Sequence, residues 1–326
     1  MKRIAVLTSG GDAPGMNAAI NAVVNKADDL GIEVFGISRG YQGLINNEIY
    51  PLNTKKVQGI CRKGGTVLET ARSQEFRTKE GRKKAVEVLK SHKIEGLVVI
   101  GGNGSLNGAK VLSKMDSEIK VIGIPASIDN DISGSDFSIG FNTACDVVTK
   151  ALDNIKDTAL SFHTSNEARI FAVETMGRER GWISILAGIA GEADLVIVPE
   201  KRSSFAKVVN RIKEIIKAKN DCVILFSEGI TNADNFVDQL EAKLGHRVRS
   251  TLLGFQQRGG VPTITDRILA LRMGVKAVES LKAGESAKMI AIKGDSVKTE
   301  LLENNDIGTG SYDYYLDMFK HKVMGL

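Results

Sequence analysis

The chain has 326 residues, too many for one small module and few for three, so at roughly 150 residues per domain it points to two. Hydrophobic residues make up 42% and charged residues 25%, near the averages for folded soluble proteins, which excludes a disordered chain. Lys+Arg 44 against Asp+Glu 39 leaves a net +5, spread along the chain, with only 5% aromatics. That balance suits small anionic partners and not nucleic acid, which calls for a basic stripe with interleaved aromatics.

In chain order, apolar runs of strand length alternate with stretches of helical period. Ile4–Leu7 reads as a strand and Met16–Leu30 as a helix, with Ala18/Ala22 and Ala19/Val23/Ala27 recurring four apart. Glu33–Ile37 follows as a strand, then strand Leu97–Ile100, helix Ser105–Lys114, strand Val121–Ile124 and a long helix over Thr143–Thr158. The second half repeats the alternation. Its strands are Ile170–Val173, Leu195–Val198 and Val223–Phe226, and its helices Ile183–Ala190, Phe205–Ala218 and Asn232–Leu244. Strands so continuously apolar are buried on both faces, the mark of a parallel sheet flanked by helices. The expected fold is α/β, in two similar doubly wound, Rossmann-like lobes with mainly parallel sheets. No proline- or serine-rich linker separates them, so the chain is expected to cross between lobes more than once.

Cys61, Cys145 and Cys222 are odd in number and far apart, with no CxxC. A disulfide framework or zinc site is not expected, and a reducing cytoplasm is. No apolar run approaches ~18 residues, so no membrane span is expected. The apolar stretch Ile4–Leu7 leads at once into glycines, which does not read as a signal peptide.

Open α/β sheets bind ligands at the carboxyl ends of their strands, and three segments there carry chemistry. The first is Thr8-Ser9-Gly10-Gly11-Asp12-Ala13-Pro14-Gly15, between a strand and a helix. Glycines let the backbone approach an anion closely, and a helix N-terminus offers free N–H groups. Taken singly, it is as readily a tight turn. The second is Gly101-Gly102-Asn103-Gly104-Ser105, in the same strand-to-helix setting. Two such loops favour a nucleotide or polyphosphate site over a pair of plain turns. The third is Pro125-Ala126-Ser127-Ile128-Asp129-Asn130-Asp131. At i and i+2 of an extended segment, Asp129 and Asp131 would face the same way. Phosphoryl transfer can use such a pair, one carboxylate taking the proton of an attacking hydroxyl and the other helping to hold Mg²⁺. By composition alone the segment is more readily a polar turn.

The four histidines, His92, His163, His246 and His321, lie in polar contexts outside these loops, so a histidine triad is disfavoured and surface positions are expected. Arginines gather near strand ends instead: Arg169, then Arg178 and Arg180, then Arg249 and Arg258 around a further strand. Guanidinium forks match phosphate.

With these segments in hand, the chain resembles the bacterial-type ATP-dependent 6-phosphofructokinase family over nearly its whole length. The resemblance is carried by Leu7-Thr8-Ser9-Gly10-Gly11-Asp12-Ala13-Pro14-Gly15-Met16-Asn17, the Gly-Gly-Asn-Gly-Ser loop and Ser127-Ile128-Asp129-Asn130-Asp131-Ile132. Ile139-Gly140-Phe141, Asp157-Thr158-Ala159, Met176-Gly177-Arg178, Gln257-Arg258-Gly259-Gly260 and Asp266-Arg267-Ile268-Leu269-Ala270 add to it. It implies ATP and Mg²⁺, fructose 6-phosphate as acceptor, and a cytoplasmic homotetramer. The implied lobes are 1–140 with about 257–307 for ATP, and about 141–256 with 308–326 for the sugar phosphate.

Residue by residue, the resemblance makes Asp129 the base on the sugar 1-hydroxyl and Asp131 a support for metal and base. Gly11, Arg72, Gly102, Asn103, Gly104 and Ser105 fall on the ATP side, with Arg72 also near the transferred phosphoryl. Ser127, Met176, Gly177, Arg178 and Glu228 fall on the sugar side, and Arg178 would also stabilise transition-state charge. Arg169, Arg249 and Arg258 match the grip on the sugar phosphate, the first two reaching in from a neighbouring subunit. Pyrophosphate-using relatives carry Asp where Gly104 stands and Lys where Ala126 stands, so the donor implied is ATP.

Departures from the family pattern matter too. Asn103 replaces a metal-supporting Asp, which should weaken Mg²⁺ binding. Phe255 replaces a histidine that donates to the sugar phosphate, which leaves tagatose 6-phosphate or a longer ketose phosphate as alternative acceptors. Asn21 and Asn25 replace two arginines of the allosteric effector site, and Glu192 replaces a glycine before the acidic position Asp194. Lys156, Lys217 and Lys219 keep basic character there. An eroded effector site is expected, and a catalytically weak paralogue that binds nucleotide or sugar phosphate is the rival reading.

Overall fold

A computed structural model of the chain describes residues 1–161, 168–302 and 313–326. His163 lies outside the described residues, as does 303–312, across which the chain was expected to pass from one lobe to the other. The chain divides into two compact units, Met1–Thr143 with Arg258–Gly310 and Ala144–Gln257 with Ser311–Leu326.

The first unit opens with β1 (Arg3–Ser9), α1 (Met16–Asp29), β2 (Glu33–Ile37), α2 (Gly40–Ile45), β3 (Ile49–Leu52) and α3 (Lys79–Ser91). It continues with β4 (Gly96–Gly101), α4 (Asn103–Ser113) and β5 (Lys120–Pro125), and the unit boundary falls in the first turn of α5 (Phe141–Ser161). The second unit holds β6 (Arg169–Thr175), α6 (Trp182–Ala190), β7 (Leu195–Ile197), α7 (Phe205–Lys219), β8 (Asp221–Ser227), α8 (Ala233–Leu244) and β9 (Val248–Leu252). The chain returns to the first unit for α9 (Ile264–Lys282), β10 (Lys288–Lys293) and β11 (Ser296–Leu301), and ends in the second with α10 (Asp313–Met318) and β12 (Val323–Met324).

The fold is mixed α/β with mainly parallel sheets, in two Rossmann-like lobes. The first sheet runs β11-β10-β5-β4-β1-β2-β3, parallel from β10 to β2 and antiparallel at its two edges. Ile4 to Leu7 and Leu97 to Ile100 are wholly buried, as both faces of a covered parallel sheet require. From β1 the chain moves outward to β2, then returns to lay β4 on β1's other side, so the order reverses between β1 and β4. Loops leaving the two strands diverge there and open a crevice. The second sheet, β12-β7-β8-β6-β9, is parallel throughout. Ile170, Ala172, Ile197, Ile224 and Phe226 centre its core against Val208, Ile212 and Phe236.

The alanine stripe of α1 has a packing purpose. A Cβ on Gly274 of α9 would come 2.6 Å from Ala22 Cβ and 2.7 Å from the Ala19 carbonyl, so the two helices meet backbone to backbone. At the start of α9, Thr263 caps its own helix by accepting from Asp266 N–H (3.3 Å). The fully buried Asp266 carboxylate accepts from Gly140 N–H (3.0 Å), Thr143 N–H (2.7 Å) and the Thr143 hydroxyl (2.5 Å). Burial pushes its acidity towards the neutral form, and these donors pull it back. Asp266→Ala strands three buried donors and is expected to cost on the order of 3 kcal/mol, read as a lower urea midpoint. Asp266→Asn, which keeps one acceptor oxygen, should lose less.

Candidate active site

A cleft of about 350 Å³ lies in the first unit at the crevice between β1 and β4. All three chemistry-bearing segments reach it: Gly11 after β1, Gly102 to Ser105 after β4, and Ser127, Asp129 and Asp131 after β5, with Arg72 and Arg258 at its walls. Backbone contact sets their spacing. A Cβ at Gly101 would come 2.3 Å from the Ser9 carbonyl, and Gly10, at φ +91°, lies against the Ser105 hydroxyl. At Gly11 a Cβ would meet Arg258 Nη1 at 2.4 Å. That guanidinium crosses the loop and donates to the Asp12 carbonyl at 3.4 Å. Gly104 differs from these, because a Cβ there would meet nothing within 4 Å. No packing demands a glycine at 104, and the space beside it opens to a ligand.

Asp129 and Asp131 both line the cleft, though not as an extended segment. Residues 128–129 form a turn and Asn130 has φ +48°, in the left-handed region. The polar turn that composition suggested is present, and it carries both carboxylates to the cleft. Asn130 pays for its strained backbone by bonding: its amide donates to the Asp136 carbonyl (3.0 Å), and its oxygen accepts from Ser138 N–H (2.6 Å) and the Ser138 hydroxyl (2.9 Å). Residue 139 then bridges back onto the loop, Ile139 N–H donating to the Pro125 carbonyl (3.1 Å) and Ser127 N–H to the Ile139 carbonyl (3.0 Å). Ser127 Oγ accepts from Asp129 N–H at 3.2 Å and lies 3.4 Å from Asp131 Oδ1.

Asn103 opens α4 and faces this loop. Its amide nitrogen donates to Asp131 Oδ2 at 2.8 Å and contacts the Asp131 carbonyl at 3.4 Å. Its amide oxygen is buried without a hydrogen-bond partner, a cost of about 1–3 kcal/mol unless something fills it. Among the described residues no three His, Cys, Asp or Glu side chains cluster as a protein cage for a metal. A spare amide oxygen beside a carboxylate fits a cation that keeps most of its water, as Mg²⁺ does.

Several lining residues have no counterpart in the reading of the sequence. Tyr41, Ser73, Gln74, Phe76 and Arg77 border the cleft. Tyr41 and Phe76 stack at 3.9 Å and 14°, and the Tyr41 hydroxyl donates to the Ser105 carbonyl at 2.7 Å. Burial drives that hydroxyl well above the ordinary phenol range. No periodic signal marks these positions; only an aromatic beside an arginine at Phe76-Arg77 could have flagged them. No described histidine lines the cleft. His321 is exposed, His246 half-buried, and His92 bonds Asn47 at 2.7 Å.

In the second unit the β6 loop Met176-Gly177-Arg178 lies beside the β8 loop Ser227-Glu228-Gly229. Gly177, at φ +129°, accepts at its carbonyl from Gly229 N–H (3.1 Å) and from the Ser227 hydroxyl. Met176 N–H donates to buried Gln257 (3.2 Å), and Arg178 is exposed, 3.5 Å from Glu228. Arg169 is buried, its guanidinium donating to the Thr158 and Ala159 carbonyls, where the end of α5 offers unpaired acceptors. Arg249 lies within β9, exposed, over the Phe171 ring at 5.7 Å, and Phe255 is 83% exposed. Arg258, expected among the sugar-phosphate arginines, belongs to the first unit and its cleft.

The effector-type positions are held by neighbours. Asn21 donates to the Val57 carbonyl (2.9 Å) and Asn25 to the Asn21 carbonyl (2.8 Å). Lys156 pairs with Glu192 at 3.3 Å, and Lys219 bonds Asp194 and Asp221, while Lys217 is exposed. Glu192 itself sits at φ +52°, where a glycine would be unstrained.

The phosphofructokinase family model matches residues 3–281. An ATP-dependent 6-phosphofructokinase of Clostridium botulinum is 47% identical over 91% of this chain and 91% of its own. One from Thermotoga neapolitana is 48% identical over 93% and 94%. Among solved structures, phosphofructokinase from Saccharomyces cerevisiae superposes with a TM-score of 0.85 at 35% identity, covering 93% of this chain. Phosphofructokinase from Pichia pastoris does so with 0.85 at 32% identity and 93%. This chain spans only 45% and 35% of the length of those two chains.

Proposed function

The chain belongs to the phosphofructokinase family, and from that premise we propose that it transfers the γ-phosphoryl of ATP to the 1-hydroxyl of fructose 6-phosphate. The observation that carries this is the convergence of the two glycine turns and the Asp129 loop on one cleft. Backbone N–H groups at Gly11 and at the start of α4 suit the triphosphate, helped by the positive end of that helix. Arg72 faces the same space and supplies positive charge where the transferred group gains negative charge. Asp129 takes the proton from the sugar hydroxyl as its oxygen bonds to the γ-phosphorus and the bond from that phosphorus to the bridging oxygen breaks, releasing ADP; its loop is held by Ser127 and Asn130. Asn103 and Asp131 are the residues that would hold Mg²⁺, which when bound neutralises charge on the phosphoryl oxygens. The open space at Gly104 and the small, uncharged Ala126 support ATP over pyrophosphate, since neither presents a group that would stand in for the rest of the nucleotide.

Sugar-phosphate recognition we assign to Met176, Gly177, Arg178 and Glu228 in the second unit. Phe255 offers no donor to a phosphate, so the grip rests on arginines. We further assign the protein to the cytoplasm, consistent with the described residues containing no helix long and apolar enough to cross a membrane. Self-association is supported by Val261, Ile264 and Ile268, apolar yet 66%, 76% and 49% exposed on the first unit, and a homotetramer is the form the family resemblance implies.

A coupled assay with fructose 6-phosphate, ATP and Mg²⁺ tests the activity, with tagatose 6-phosphate as the competing acceptor. Asp129→Asn should lower kcat by at least ~10² with little change in the thermal midpoint; full turnover in that variant contradicts the assignment. Because Lys156 and Lys219 already pair with carboxylates, ADP or phosphoenolpyruvate should move the half-saturating sugar-phosphate concentration by less than about twofold, against the 5–150-fold of ordinary allosteric coupling. A velocity curve that shifts strongly with either ligand would refute the eroded site.

A further inference from the structure

We propose that Asn103 is a positioning residue that holds the Asp131 carboxylate, and with it the Asp129 loop, in working geometry before any divalent cation binds. The inference rests on the phosphotransferase reading of the cleft and deepens it. Three observations carry it. The Asn103 amide donates to Asp131 Oδ2 at 2.8 Å, joining the first turn of α4 to a loop that starts 24 residues beyond it in Ser127. The other Asp131 oxygen lies 3.4 Å from Ser127 Oγ, which in turn accepts from Asp129 N–H at 3.2 Å. So the amide, the supporting carboxylate and the base form one connected chain of contacts. Third, the Asn103 amide oxygen is buried and unpartnered, which leaves an acceptor for a metal-bound water without spending the donor that holds Asp131.

The orientation of the amide follows from its surroundings. Turned over, it would set its oxygen against a carboxylate oxygen at 2.8 Å, two acceptors in contact with no proton between them. A carboxylate at position 103 would create that same repulsion whenever both acids are ionised. Such a site would need a cation between its two acids to hold the loop in place. Here a neutral amide does that work, so the loop's order is uncoupled from the metal, and the metal is left to act on the phosphates. Asn103 thereby trades some affinity for Mg²⁺ for a site that is formed in its absence.

Thermal unfolding of the full-length protein, in EDTA and in excess Mg²⁺ without nucleotide, separates this from a packing role. Wild type should melt within about 1 °C in the two conditions, because little of its folding is linked to the cation. Asn103→Asp should melt several degrees lower in EDTA, on the order of 3–6 °C, and regain most of that in Mg²⁺. The exchanged pair, Asn103→Asp with Asp131→Asn, restores one amide and one carboxylate with their places reversed, and should melt close to wild type in EDTA. Asn103→Ala loses the tether without adding charge, so it should fall in EDTA and not recover with Mg²⁺. An Asn103→Asp protein as stable as wild type in EDTA, or one that Mg²⁺ fails to restore, overturns the proposal. So does an exchanged pair no more stable than Asn103→Asp alone, and this comparison remains readable if Asn103→Asp is largely unfolded in EDTA. None of these melts requires turnover. A wild-type protein inactive on fructose 6-phosphate with the expected melting pattern would therefore sink the activity and leave the inference standing.

Discussion

Everything in the first unit's cleft depends on how closely the ends of β1, β4 and β5 can approach. In the parallel registry, Ser9 lies opposite Gly101 and Gly101 opposite Pro125, so three chains leave the sheet side by side at one level. The Ser9 carbonyl occupies the space a Cβ on Gly101 would take. Any side chain there would push β4 away from β1 and separate the two turns. The chemistry is thus permitted by an absence of atoms: the glycines supply no functional group, and they let two backbones offer their N–H groups to one anion.

That closeness has to be maintained from outside the sheet, and a distant stretch of chain does it. Asp266, more than 120 residues beyond the loop it steadies, ties Gly140 and Thr143, and Ile139 beside them is bonded to Pro125 and Ser127. Gly15, at φ +110°, brings the first loop against the same Ile139 side chain. One buried carboxylate therefore braces both the turn after β1 and the loop that carries Asp129. A carboxylate is an expensive brace to bury, and it is tolerated because three donors converge on it.

How much of this could be read from the residues themselves depends on what set each feature. The strands β1, β4, β5, β6 and β8 were legible because burial on both faces leaves an unbroken apolar run, and Glu33–Ile37 emerged with its own bounds. The edges were not. β3 contains Pro51 and β11 is exposed or half-buried along its length, so neither carries that signature, whereas β10 does carry it in Met289–Ile292 and was passed over. Helix α9 was also passed over, although Leu269, Ala270, Met273, Ala277, Val278 and Leu281 recur at helical spacing on its buried face. In the site, Asp129 and Asp131 were found for a reason that fails: an extended segment was assumed, and a left-handed Asn130 produces the geometry instead. Arg169 shows the opposite limit. A guanidinium at a strand end suits phosphate, but the same fork suits the bare carbonyls at the end of α5, and only coordinates tell which partner is nearer. Tyr41 and Phe76 were invisible because their meeting is a property of the folded chain, with 34 residues between them.

The charge balance of the cleft explains why an amide at position 103 is workable. Arg72, Arg77 and Arg258 face it, against the carboxylates of Asp129 and Asp131, so positive groups outnumber negative ones before any ligand arrives. A third carboxylate would cancel that excess and place two acids in contact, making a cation a condition for assembling the pocket as well as for reacting in it. With the amide, a polyanionic donor meets a cleft that already attracts it and a base loop that is already set. In the proposed reaction, a cation would then be needed only where charge shifts during transfer. What the substitution gives up in direct ligation is confined to the metal. What it preserves is the short path of contacts from α4 through Asp131 and Ser127 to Asp129, the base of the proposed reaction.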